Sequence, residues 1–92
     1  MTQTIIVADD HPLFRAALKQ AVSQAVPDAK TVEVDSIKAL QAAVESHPDA
    51  DLVLLDLNMP GAHGFSGLVF MRGQYPGLPV VVVSGSEEMQ VM

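Results

Sequence analysis

Three carboxylates and one hydroxyl each stand directly after a short apolar run. Asp9 and Asp10 follow TIIVA, Asp56 follows LVLL, and Ser84 follows VVVV. A single Asp in such a place has a plain structural use, because its side chain caps the next helix or opens a turn. Several of them converging on one edge carry more information than any one alone. Unit charges about 4 Å apart repel by roughly 1 kcal/mol in bulk water and about 4 kcal/mol at an effective dielectric of 20. A gathered trio therefore calls for a proton or a cation, and a hard divalent cation is the simplest compensator. Oxygen-only donors in a chain with no Cys point to Mg²⁺ or Mn²⁺ rather than zinc.

Convergence requires elements that bring these run ends together. The spacing predicts a buried strand over Thr4–Ala8, then a helix that Pro12 opens and Pro27 stops. Along that helix Leu13, Phe14, Ala17, Leu18, Ala21, Val22 and Ala25 recur at helical spacing. Residues 31–34 read as a shorter strand near a sheet edge, flanked by Glu33 and Asp35. Ser36 is a good N-cap for a second helix whose stripe is Ile37, Leu40 and Val44, ending before His47 and Pro48. Residues 52–55 form a third buried strand delivering Asp56, the NMPG turn follows at 58–61, a third helix covers residues 65–74, and Val80–Val83 is the fourth strand. Strict alternation of apolar strands with helical crossovers argues for an α/β fold, a doubly wound parallel sheet. Ligands in such sheets bind at the carboxyl ends of the strands, where Asp9, Asp10, Asp56 and Ser84 lie.

The order and spacing of these residues, with Met59-Pro60-Gly61 beyond Asp56, resemble the receiver domain of two-component response regulators over the whole chain. More narrowly, ADDHPLFRAAL at residues 8–18 and LLDLNMPG at 54–61 resemble the LuxR/NarL-type regulators. The resemblance implies a flavodoxin-like receiver fold with strand order 2-1-3-4 here and the fifth strand missing. It implies that Asp56 accepts a phosphoryl group from a histidine kinase or phosphotransfer protein. Asp10, Asp56 and the backbone carbonyl of Asn58 would ligate Mg²⁺ or Mn²⁺, with Asp9 acting through water. Ser84 and Gly85 would contact the phosphate. Physical chemistry supports these roles, since a phosphoryl group in flight needs its charge neutralised and its nucleophile held in line. The resemblance further implies a regulatory phosphoacceptor rather than an enzyme, and a helix-turn-helix DNA-binding domain in the full-length protein.

Two departures stand out. The family's phosphate-contacting Lys belongs to the fifth strand, whereas Lys19, Lys30 and Lys38 fall on or beside the first two helices and the second strand. His63 occupies a loop position where related sequences often carry Asp, with a local effect expected. Two other functions compete with the switch. A Mg²⁺-dependent phosphatase of the haloacid dehalogenase type also uses a strand-end Asp, but places a second Asp two residues on, where this chain has Asn58. A phosphorylation-independent interaction module would keep the fold without needing the intact Asp trio.

Composition removes further classes. The chain has 92 residues, 49% of them hydrophobic, enough for one small domain with a core. Five Lys and Arg against 11 Asp and Glu leave a net charge of −6, which opposes phosphate-backbone binding, so DNA contact is expected only through a separate effector domain. The apolar runs at 52–55 and 78–83 are too short to span a membrane, and a cytoplasmic location is expected. His11, His47 and His63 lack metal-binding spacing; His11 and His63 fall near the acidic residues, and His47 reads as a helix end. On the third helix Phe65, Leu68, Met71 and Tyr75 share a face, which leaves Phe70 as the outward residue, exposed or touching a partner. Ser86, Glu87 and Glu88 start a fourth helix that has barely one more turn. The expectation is that the chain either forms a homodimer through the valine strand and the uncovered face of the first helix or is a piece of a longer protein.

Overall fold

β1 (Thr4–Ala8) is buried at every position, which is what a strand apolar from Ile5 onward and covered on both faces requires. In the computed structural model, which describes residues 3–56 and 66–83, it lies inside a four-stranded parallel sheet of order β2-β1-β3-β4. The remaining strands are β2 (Lys30–Val34), β3 (Leu52–Asp56) and β4 (Val80–Val83). They alternate with α1 (Pro12–Ala25), α2 (Ile37–Ser46) and α3 (Ser66–Gln74). The expected doubly wound α/β sheet and its strand order are both present. β2 begins one residue earlier than expected, at Lys30, whose N–H donates to the Gln3 carbonyl at 2.7 Å. The NMPG turn, His63, Phe65, Ser84, Gly85 and the fourth helix fall outside the described residues.

β1 and β3 pair with Ile5 beside Leu52 and Ala8 beside Leu55. A clasp fixes this register at the amino ends. The Thr4 N–H donates to Asp51 Oδ2 at 2.9 Å, and the Asp51 N–H returns a bond to the Thr4 carbonyl at 2.8 Å. One layer of core gathers Ile6, Ala8, Val53, Leu55 and Val80 from the sheet with Leu40 and Val44 of α2 and Met71 of α3. On the other face Val7 and Val83 pack with Leu18 of α1. That side is the thinner one: Leu13 is 89% exposed, and Ala17, Ala21 and Ala25 of the same helix are exposed too.

α2 follows its sequence closely. Ser36 Oγ accepts the Ala39 N–H at 3.1 Å, Leu40 and Val44 are buried, and His47 caps the carboxyl end through its N–H to the Ala43 carbonyl. α3 corrects one expectation. Phe70 is partly buried and packs against the core, whereas Val69 is 68% exposed and is the outward residue. About 100° per residue puts Phe70 on the flank of the buried face next to Met71, and Val69 about 160° from Met71. A long ring on the flank folds back onto the core, as helical side chains do. No described helix is long and apolar enough to cross a membrane.

Leu40, fully buried, should lose about 2–5 kcal/mol on replacement by Ala, while Val69→Ala should stay within about 0.5 kcal/mol of the parent. Urea unfolding of both variants checks the assignment of inward and outward faces.

Candidate functional site

Ala8 and Leu55 are register partners, so one further step along each strand sets Asp9 and Asp56 side by side at the carboxyl edge. Both carboxylates are fully buried, and Asp10 beside them is about one-third exposed. The Asp9 N–H donates to the Val34 carbonyl at 3.0 Å, which continues the β1–β2 ladder one residue past the strand. The acidic turn is thus anchored to the sheet before α1 begins.

His11 is the centre of the cluster. Its N–H donates to Asp9 Oδ1 at 2.6 Å, and its ring Nδ1 lies 3.0 Å from Asp9 Oδ1, 3.1 Å from Asp10 Oδ1 and 3.4 Å from Asp56 Oδ2. The ring's pKa is raised above its ordinary 6.5, first by the hydrogen bond with Asp9. Desolvation opposes the rise, and the charges of Asp10, Asp9 and Asp56 add to it. Asp9 Oδ2 is buried with no hydrogen-bond partner among the described residues. A buried carboxylate oxygen left in that state is costly, and a cation is the natural complement for it. Asp9, Asp10, His11 and Asp56 each offer a ligand atom, all within 4.8 Å of one another, so the residues fit a bound metal ion.

Arg15 braces this arrangement from one turn into α1. Its Nη1 donates to the Asp9 carbonyl at 2.9 Å, and its Nε donates to Glu33 Oε1 of β2 at 3.2 Å. Lys19 reaches the other oxygen of Glu33 at 3.4 Å, so this lysine faces the sheet edge and not Asp56. A cavity of about 430 Å³ lies at the opposite edge, where Val44, His47, Tyr75 and Leu78 line it. A smaller one, about 260 Å³, lies next to the cluster, lined by Arg15, Glu33 and Asp35.

Of the expected site residues, the structure brings together Asp9, Asp10 and Asp56; Asn58, Ser84 and Gly85 lie outside the described residues. Sequence reasoning kept His11 at the margin and missed Arg15. The signals were present in DDHPLFR: a His wedged between two acids and a proline, and an Arg one turn later.

Residues 5–92 match the family described as response regulator receiver domain. The chain belongs to this family. The receiver is 42% identical over 88 residues to the glycerol metabolism activator of Pseudomonas putida, covering 96% of this chain and 40% of that protein. It is 40% identical over 83 residues to the nitrate/nitrite response regulator protein NarL of Escherichia coli K12, covering 90% of this chain and 38% of that one. RcsB from Salmonella enterica serovar Typhimurium, solved bound to promoter DNA in the presence of the phosphomimetic BeF3⁻, superposes with a TM-score of 0.73 at 25% identity. That match covers 89% of this chain and 42% of the other. The receiver thus spans about two fifths of the length of the regulators it matches. Membership decides for the receiver over the phosphatase reading, and such a domain is a regulatory phosphoacceptor that serves a phosphorylation-dependent switch.

A raised folded-state pKa means that His11 stabilises the fold fully below 6.5 and loses that contribution as pH rises through the folded value. In chelator, the parent should therefore exceed His11→Gln in melting temperature at about pH 5.5, and the gap should close by about pH 8.5. Paired thermal melts check the sign. Arg15→Gln should lower stability by about 1–2 kcal/mol through its lost charge-assisted bond and reduce the melting-temperature rise on adding Mg²⁺. Calorimetric scans with and without the ion read both effects.

Proposed function

We propose that Asp56 is the phosphoacceptor of this receiver and that Asp9 and Asp10 are its partners in holding Mg²⁺ or Mn²⁺. The observation that carries the reading is the gathering of three carboxylates, two fully buried, at one end of a parallel sheet in a chain of this family. In the proposed step an oxygen of Asp56 forms a bond to phosphorus as the bond from phosphorus to a phosphohistidine nitrogen breaks. The nitrogen keeps the electron pair and takes a proton from solvent. An ionised carboxylate needs no general base for this, because it has no proton to give up.

The bound cation supplies neutralisation of charge on the phosphoryl oxygens. Asp10 and Asp56 would hold it directly, Asp9 through water, and the Asn58 carbonyl would complete the protein's share. Ser84 and Gly85 would hydrogen-bond the phosphoryl oxygens; Ser84 directly follows Val83, the register partner of Asp56. The donor is a histidine kinase or phosphotransfer protein, and the output is a DNA-binding domain in the full-length regulator. The receiver's net charge of −6 supports assigning DNA contact to a separate domain, as does the part of each matched regulator that the receiver leaves uncovered.

Incubation with acetyl phosphate and Mg²⁺ should give a stoichiometric, acid-stable and base-labile adduct by intact mass, absent without the ion. Asp56→Asn should abolish it while keeping the fold, with stability unchanged or higher because one charge leaves a repelling trio. An adduct persisting in that variant would overturn the assignment, and steady turnover of acetyl phosphate would favour a phosphatase.

A further inference from the structure

We infer that His11 supplies a nitrogen ligand to this cation site, making it a mixed imidazole and carboxylate centre that favours divalent first-row transition ions over Mg²⁺. This rests on reading the acidic cluster as a cation site. Two ligand atoms each about 2.1 Å from one ion stand about 3.0 Å apart along an octahedral edge and about 3.4 Å apart along a tetrahedral one. The three separations from His11 Nδ1 to the carboxylate oxygens, 3.0, 3.1 and 3.4 Å, fall on those edges. The imidazole nitrogen thus stands at separations that a shared ion would span as well as the hydrogen bond with Asp9 does.

Its aim is built into the backbone. His11 precedes Pro12, which biases it toward the extended conformation seen, φ −99° and ψ 106°, and its N–H is tied to Asp9 Oδ1. The ring is pointed inward from the N-cap of α1, yet the side chain is 53% exposed. Without an ion the ring donates from Nδ1 to Asp9 Oδ1; a bound ion would take the place of that proton, with Nε2 keeping its own toward water. The buried Asp9 Oδ2, without a hydrogen-bond partner among the described residues, is a second donor awaiting an ion. An all-oxygen site suits Mg²⁺, whereas an added imidazole raises affinity along the series from Mn²⁺ to Cu²⁺ and does little for Mg²⁺.

The test titrates the intact chain with Mg²⁺ and with Ni²⁺ by calorimetry, in the parent, His11→Gln and Asp10→Asn, and records Cu²⁺ electron paramagnetic resonance on each. His11→Gln should weaken Ni²⁺ binding by about tenfold or more and change Mg²⁺ binding by less than about threefold. Nitrogen superhyperfine splitting in the parent copper spectrum should vanish in His11→Gln. Splitting that persists there, as from His47 or His63, or a variant that binds Ni²⁺ as tightly as the parent, overturns the inference. So does an equal gain for both metals, which would make the imidazole only a competing cation. If Asp10→Asn weakens both metals while His11→Gln weakens neither, the cation site stands and this inference alone falls. If Asp10→Asn leaves Mg²⁺ binding unmoved, the cation-site reading falls with it.

Discussion

Ala8 beside Leu55 in the parallel register of β1 and β3 is the constraint on which the carboxyl edge depends. Side chains alternate between the two faces of a sheet, so a slip of one residue would turn every one of them over and separate Asp9 from Asp56. Both faces of β1 are apolar, and burial alone would tolerate such a slip. The β1–β3 register is instead held by a specific clasp at the amino end, Thr4 with Asp51, while the Asp9 N–H on the Val34 carbonyl ties the carboxyl end of β1 to β2.

Burying charge is the cost of this arrangement. Asp9 and Asp56 are fully buried next to a third carboxylate, an assembly that repels itself. Among the described residues, His11 amid the carboxylates and Arg15 on the Asp9 carbonyl offset it. Both come from the start of α1, so the helix that follows β1 packs against the sheet and also brings two nitrogen donors to the cluster. Such a site is preloaded with unfavourable charge, and that is what lets a cation or a change in charge on one carboxylate act on the domain.

Much of this was legible in the sequence because it depends on local pattern. Each strand is an apolar run closed by a polar residue, Ser36 announces α2, and the Asp residues mark their own strand ends. The strand order 2-1-3-4 came from the family resemblance, which carries information that periodicity lacks. What the sequence withheld depends on where long side chains travel. Arg15 crosses to Glu33, eighteen positions away, and only the pairing of β1 with β2 brings them together. Phe70 turned inward because a flanking ring can reach the core, whereas wheel geometry treats every side chain as a short spoke. His11 was weighed as one of three scattered histidines when its immediate neighbours were the better guide.

The clasp between Thr4 and Asp51 sits at the far end of β1 from the carboxylates, about 16 Å away at roughly 3.3 Å per residue. A strand hydrogen-bonded on both sides behaves as a stiff rod over that distance. Asp51 therefore works as an end stop against which the rod is gauged, and the alignment of Asp9 with Asp56 inherits the tolerance of that stop. Surface acids at the amino edge of a sheet are easily dismissed as solubilising decoration. Here one of them sets how accurately the carboxylates at the opposite edge are aligned.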